Sequence, residues 1–324
     1  MRSNPSYASC SLLVFVTSAC AVDLGPKEQA PPPGALAAVL PDCLPLTRTL
    51  ESLEGRLDAQ RLPDGRLLLG AGDRAFSVES PRAACDDVFD AAFEAPLFDG
   101  RPIGVDGAVT LLAGVEGYRF FSAEGRGLGV AEWNAERRSF EARALLFTAD
   151  RPRFGSAATR FGDHVYVFGG LPARFLAADV YLARVLMSDV AEPAAYEYWQ
   201  GGGGWTSDAD LAAPIVEGGT SPSVLFDAAH DRWLMAYATP LASEIQLRSG
   251  LGVTGPWSLP LVVGRCRLPP SDPNAFCDDV TLLPAMETNS LNLGYRIGSF
   301  TSAPRNPREY WTRLVTTTWP TTLP

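Results

Sequence analysis

The chain has 324 residues, a formal net charge of −10 and a single lysine, Lys27. An acidic chain without a basic stripe lacks the electrostatic footprint of a nucleic-acid binder. With no lysine after Lys27 there is neither a Gly-Lys-Ser/Thr phosphate loop nor a lysine for Schiff-base chemistry in the folded part.

Residues 1–20 read as a secretory signal, with Arg2, an apolar run from Leu12 to Val16, and small Ala19 before Cys20. That run is too short to span a bilayer. Thr17-Ser18-Ala19-Cys20 resembles the lipobox of bacterial lipoproteins, with Thr17 where leucine is usual. The resemblance implies lipidation at Cys20 and an anchor in the cell envelope, at the outer membrane or surface. Ordinary cleavage near Ala21 is the alternative, and it too exports the chain as a periplasmic or secreted protein. Residues 21–40 hold Pro26 and Pro31-Pro32-Pro33, the composition of an extended tether. Residues 41–324 are left for one domain. Cys43, Cys85, Cys266 and Cys277 form an even set suited to two disulfides in an oxidising compartment. Three pairings are open; Cys43 with Cys85 and Cys266 with Cys277 is favoured, because each bridge then closes a loop within one end of the chain.

Along the domain, turn chemistry recurs ahead of a short apolar strand. Asp64-Gly65 precedes Arg66–Asp73, Asp106-Gly107 precedes Ala108–Gly114, Gly162-Asp163 precedes His164–Gly170, His230-Asp231 precedes Arg232–Tyr237, and Thr288-Asn289 precedes Leu291–Tyr295. Another strand candidate stands before each turn: Leu57–Leu62, Pro102–Val105, Gly155–Phe161, Ser223–Phe226 and Val280–Met286. Further candidates follow, among them Gly127–Trp133, Ser139–Ala144, Val180–Leu186, Glu244–Ser249 and Tyr310–Thr317. Met187–Tyr196 has weak helix character, interrupted by Pro193, and reads as a loop with one turn. Five antiparallel units with apolar faces predict an all-β, five-bladed β-propeller of four-stranded blades. A β-sandwich is the alternative that strand patterns leave open.

The ordered set Tyr196-Glu-Tyr-Trp199, Gly202-Gly-Gly-Trp205, Ser223–Asp227, Arg232–Tyr237, Glu244-Ile-Gln-Leu-Arg248 and Gly255-Pro-Trp-Ser258 is distinctive. It resembles the bacterial family called domain of unknown function 4185. The resemblance runs from about Leu57 to the end, with Gly72-Asp73 similar to that family's Gly-Asp after its first hairpin. It implies a propeller related to arabinanase-like and invertase-like glycosidases, with carbohydrate as partner. Glu217-Gly-Gly-Thr-Ser-Pro222 departs from the family pattern, its acid displaced by several positions.

Glycosidases of that architecture work with two carboxylates flanking one bond. Acids near the starts of first strands are therefore the catalytic candidates: Asp58, Glu217 and Asp278, with Asp279 beside the last. Asp73 follows a second strand and is a candidate ligand contact or a turn cap. Glu244 and Arg248 lie an even number of positions apart on one strand, so they share a face and suit a polar ligand, or pair as surface charges. Trp199 and Trp205 flank Gly201–Gly204, an aromatic and glycine combination suited to sugar rings, with blade packing as the plainer role. His164 and His230 sit at turns, and the cysteines suit disulfides better than thiolate ligation, so no His/Cys metal site is expected. No cofactor is expected; a structural calcium held by acids and carbonyls in the channel would leave no sequence signature. The alternative to an enzyme is a non-catalytic glycan- or protein-binding module of the envelope.

Overall fold

A computed structural model describes residues 35–36, 57–61, 67–71, 74–78, 85–90, 92–94, 97–98, 101–102, 109–123, 125–148, 153–174, 177–219, 221–283, 290–300 and 313–320. The expected signal segment and Cys20, Cys43 and Asp73 lie outside them, as does the side chain of Cys85.

The described residues are all-β. In chain order the strands are β1 (Ala35–Leu36), β2 (Leu57–Arg61), β3 (Leu67–Ala71), β4 (Arg74–Val78), β5 (Cys85–Asp90), β6 (Ala92–Glu94), β7 (Leu97–Phe98), β8 (Arg101–Pro102) and β9 (Val109–Val115). They continue with β10 (Tyr118–Ala123), β11 (Gly127–Asn134), β12 (Ser139–Phe147), β13 (Arg153–Phe161), β14 (His164–Arg174), β15 (Ala177–Leu186), β16 (Glu197–Trp199), β17 (Trp205–Thr206) and β18 (Val216–Gly219). The last are β19 (Ser223–Asp227), β20 (Arg232–Ala238), β21 (Glu244–Gly250), β22 (Leu261–Arg265), β23 (Ala275–Leu283), β24 (Ser290–Ser299) and β25 (Arg313–Thr318). The first sheet is β2-β3-β4-β5, the second β6-β12-β11-β10-β9, and the third β13-β14-β15-β16-β17 with β18 also on β15. The fourth is β19-β20-β21-β22, the fifth β1-β25-β24-β23, and β7-β8 is a separate ribbon.

These sheets take a β-propeller arrangement. The first strand of each lies against the first strand of the next, β2 on β9, β9 on β13, β13 on β19, β19 on β23, and β23 back on β2. The core is divided among the spaces between sheets. Leu234 and Ala236 of β20 pack towards Leu282 and Leu293 of the fifth sheet. Trp233, Met235 and Tyr237 of the same strand pack towards Phe168 and Leu182 of the third. Alternate residues thus bury both faces of one strand, which is why Trp233–Ala238 reads as an unbroken apolar run.

Two expectations need correction. The second unit is shifted by one strand: Val109–Val115 is the first strand of its sheet, and its hairpin turn is Glu116-Gly117, with φ of 40° and 91°. A two-residue turn needing positive φ at both positions favours Asn-Gly or Asp-Gly, so Asp106-Gly107 is the stronger signal in the sequence and misled the register. Uniform four-stranded sheets are also not observed. The second sheet gains the short parallel β6, and the fourth position of the third sheet is divided between β16, on Ala183 and Arg184, and β18, on Ala178 and Val180. Met187–Tyr196 contains two short 3-10 turns, Met187–Asp189 and Pro193–Ala195.

Each first strand ends at the turn into its second strand, and these turn ends define one face of the propeller. Phe161 at the end of β13 touches Phe226 and Trp233 at the turn end of the fourth sheet. His230, in the β19–β20 turn, stacks on Trp319 just after β25 with ring centroids 3.7 Å apart. The favoured Cys266–Cys277 bridge is present, with Cα atoms 5.6 Å apart. It ties the segment after β22 to β23 across the fourth and fifth sheets.

Candidate functional site

The most unusual chemistry lies on β23, a first strand. Its pairing with β24 is regular from Ala275 to Asp278, then shifts register before Thr281. In that bulge Asp279 has φ of 45°, a conformation rare for residues other than glycine and retained where the surroundings enforce it. Bulges re-aim side chains and are over-represented next to active sites. Here the bulge brings two successive carboxylates onto one cation. Arg296, directly across from Asp278 on β24, reaches Asp278 Oδ2 at 2.7 Å and Asp279 Oδ2 at 2.8 Å through the same terminal nitrogen. Its Nε also donates to Asp279 Oδ2 at 3.0 Å.

Burial pushes the Asp278 carboxyl above its ordinary range, the Asp279 charge pushes it further, and Arg296 opposes both. The guanidinium of Arg296 is in turn held more firmly protonated, because the two carboxylates outweigh its own desolvation. A carboxyl that keeps its proton to higher pH beside a second carboxylate is the arrangement used for proton transfer.

Asp58 lies on β2, which packs against both β9 and β23. It pairs with Gly70, so it shares a sheet face with Leu68, which packs with Leu111 and Phe121 of the second sheet. On that side lies Arg119, with 1% of its surface exposed. Burial lowers the proton affinity of Arg119, and the charge of Asp58 partly restores it. The guanidinium donates from Nε to the Leu112 carbonyl at 3.2 Å and sits 5.8 Å from the Phe140 ring centre. One terminal nitrogen has no hydrogen-bond partner among the described residues. Asp278 points the other way from buried Cys277, which packs with the fourth sheet; its face of β23 is the one turned to β2.

Asp58 and Asp278 thus stand on adjacent first strands but look in the same sense around the ring, Asp58 towards the second sheet and Asp278 towards the first; the remaining candidates lie on strands further out. Glu217 is exposed on β18, three strands out from β13 in the third sheet, and not on a first strand. Glu244 pairs with Arg265 across to β22 at 3.3 Å. Arg248 is engaged separately, donating to the Tyr237 hydroxyl at 2.8 Å and the Ser258 carbonyl at 2.7 Å. Trp199 and Trp205 face one another across the β16–β17 hairpin with centroids 5.5 Å apart. Arg184 covers Trp205 at 4.2 Å, and both indoles pack on the Phe168–Trp233 cluster. Gly201–Gly203, all with positive φ, make the hairpin loop between them. Among the described residues no three His, Cys, Asp or Glu side chains gather as metal ligands.

Arg296 and Arg119 carry the electrostatics of the two carboxylate sites, and residue-type reasoning missed both. Arg296 was accessible through register, since a hairpin closed near residue 287 sets positions 278 and 296 opposite each other. Arg119 left no such signal, because only the packing of two sheets buries it beside Asp58.

Residues 129–289 match the family Domain of unknown function (DUF4185), so the resemblance read from the sequence holds over the middle of the chain. The fold is similar to that of a crystallised candidate hydrolase from Bacteroides ovatus, at 12% identity and a TM-score of 0.50, covering 83% of this chain and 88% of that one. An alpha-L-arabinofuranosidase from Lactobacillus brevis aligns at 13% identity and a TM-score of 0.48, over 82% and 91% of the two chains. A GH43_1 enzyme from Xanthomonas citri complexed with xylose aligns at 15% identity and a TM-score of 0.47, over 88% and 89%. At these identities the likeness concerns the fold alone. No curated protein matches the chain.

Proposed function

We propose that this is an exported, carbohydrate-active propeller of five blades, in which Asp278 handles the proton at a glycosidic oxygen and Asp58 is the second carboxylate. The blade count is supported by the five first strands that lie in sequence against one another and by the hairpin that each begins. The single observation that carries the chemistry is the β23 bulge, where Asp278 keeps its proton to higher pH next to Asp279 and Arg296. Glycoside hydrolysis needs one carboxyl to protonate the leaving oxygen and another to act as nucleophile or to activate water. The raised proton affinity of Asp278 suits it to the first task. Asp58 stands on the neighbouring first strand, with Arg119 behind it to stabilise negative charge. The relationship to glycosidase propellers implied by the motif set from Tyr196 to Ser258 points to the same substrate class.

A second reading is favoured by Arg296 itself. A guanidinium bridging two carboxylates is also how a purely structural clasp looks, and a glycan-binding module without turnover would need nothing more. The test is a screen of purified protein against a panel of oligo- and polysaccharides, with Asp278→Asn and Asp58→Asn in parallel. Cleavage by the unaltered chain, reduced about 10²-fold or more in each variant while binding persists, is the expected result. Binding without cleavage by the unaltered chain would replace the enzyme with the module.

A further inference from the structure

Eight large apolar side chains among the described residues are substantially exposed, and four lie on the turn face: Phe161 (44%), Leu186 (44%), Leu251 (71%) and Leu259 (86%). Register places them there. Phe161 pairs with His164, which pairs with Leu186 at the turn end of the third sheet. Trp233, near the start of β20, pairs with Gly250, and the Gly250–Trp257 bridge closes the loop that carries Leu251, with Leu259 just beyond it. The third and fourth sheets adjoin at this face through Phe161, Phe226 and Trp233.

The loop belongs to an unusual stretch of sequence. Residues 249–264 contain no charged side chain, in a chain whose net charge is −10. Nor can the leucines readily fold back, because the loop is braced from within. Ser258 N–H donates to the Ser249 carbonyl at 2.7 Å, Gly255 N–H to the Gly252 carbonyl at 2.9 Å, and Arg248 to the Ser258 carbonyl at 2.7 Å.

A second observation is independent of these side chains. The chain enters the propeller as β1, with Ala35 opposite Thr317 of β25. Thr318 pairs with Ser290, the first residue of β24, so this end of β25 is the turn end of the fifth sheet. The N-terminal segment therefore joins the propeller at the face where Leu251 and Leu259 stand. If Cys20 is acylated, fifteen residue steps separate the lipid from Ala35, a reach of at most roughly 50 Å.

We propose that the turn face seats on a lipid bilayer, with Leu251 and Leu259 entering the interface and the start face, towards which Asp278 lies, turned outward. The orientation rests on the lipid-anchor reading of Cys20; the contact surface does not. The exposed charges on this face balance, Arg137, Arg138 and Arg160 against Glu136, Asp163 and Asp231, so the contact is with zwitterionic lipid and is driven by apolar burial, not by attraction to anionic headgroups.

The test uses the full chain as purified from its membrane and vesicles of phosphatidylethanolamine and phosphatidylcholine. Backbone hydrogen exchange in 161–164 and 250–259 is expected to slow about tenfold on the vesicles, while 216–219 is unchanged. A Leu251→Glu/Leu259→Glu variant, whose fold is checked by circular dichroism, is expected to remain on the vesicles through Cys20 yet lose that slowing. Equal exchange in the bound and free states overturns the proposal. If mass spectrometry finds no acyl group at Cys20, the anchor reading fails separately. In that case flotation of the unmodified chain with vesicles, abolished in the double variant, supports the surface, and absence of flotation overturns it. A dimer that dissociates in the double variant also overturns it, assigning the face to a second copy of the chain.

Discussion

Replacing Arg296 by glutamine removes the cation shared by Asp278 and Asp279 while leaving a polar side chain in its place. The ion pairs are close, at 2.7 and 2.8 Å, but the side chains of Arg296, Asp278 and Asp279 retain 35%, 30% and 17% of their exposure. An exposed pair contributes about 0–1 kcal/mol, and breaking a buried one costs about 3–5 kcal/mol. Solvent screening at intermediate burial places this case at about 2 kcal/mol. With an unfolding entropy of about 2.1 cal/mol/K per residue over roughly 285 residues, that is a fall of about 3 °C in melting temperature at neutral pH. The pH dependence identifies the cause. The Asp278 carboxyl is already raised by burial and by Asp279, with Arg296 the opposing influence, so losing the cation raises it further. A carboxyl raised on folding stabilises fully below its unfolded value, and the contribution is lost as pH rises through the folded value. The deficit of Arg296→Gln should therefore be largest near neutral pH and shrink on acidification as Asp278 takes up its proton. Thermal unfolding followed by circular dichroism at about pH 7.5 and about pH 4.5 measures this directly. The same loss at both pH values would refute the electrostatic account and assign Arg296 to packing alone.

Asp278→Asn works in the opposite sense. It removes the raised carboxyl with little change of shape, so its melting temperature should exceed that of the unaltered chain at neutral pH, with the gap narrowing in acid; a lower value throughout would show that Asp278 is needed as an anion for folding. The Cys266–Cys277 bridge spans a sequence separation of 11, for which loop-closure entropy gives about 2.8 kcal/mol. A Cys266→Ala/Cys277→Ala variant should accordingly melt about 4–5 °C lower, and an unchanged melting temperature would mean that packing between the fourth and fifth sheets already holds these segments.

How far the sequence discloses the fold depends on which physical signal each element carries. The third and fourth sheets are legible because Gly162-Asp163 and His230-Asp231 mark their turns, and because β14 and β20 are apolar on both faces. The second sheet is misread for the same kind of reason. Its true turn, Glu116-Gly117, carries a weaker signal than Asp106-Gly107, and a one-strand shift changes which segment is innermost. Side-chain partners are less legible than strands, because they depend on distances between sheets. Glu244 and Arg248 share a strand face, as their spacing requires, yet each is engaged by a different neighbour, Arg265 or Tyr237 with Ser258. Trp199 and Trp205 bracket the glycine run as read, but they face each other and the core cluster of the third and fourth sheets.

The arrangement also separates two kinds of surface by the direction of the strands. All first strands begin on one face and turn on the other, so a residue's position along its strand decides which face it serves. Asp278 lies before the bulge of β23, towards the start face, while Phe161, Leu186 and Leu251 fall at strand ends on the turn face. The bulge matters to this division. Without the register shift between Asp278 and Thr281, Asp279 would alternate to the opposite side of the strand, beside the fourth sheet, and Arg296 would hold one carboxylate instead of two. A local irregularity in pairing thus concentrates charge towards one face, while a 16-residue stretch free of charge supplies the other.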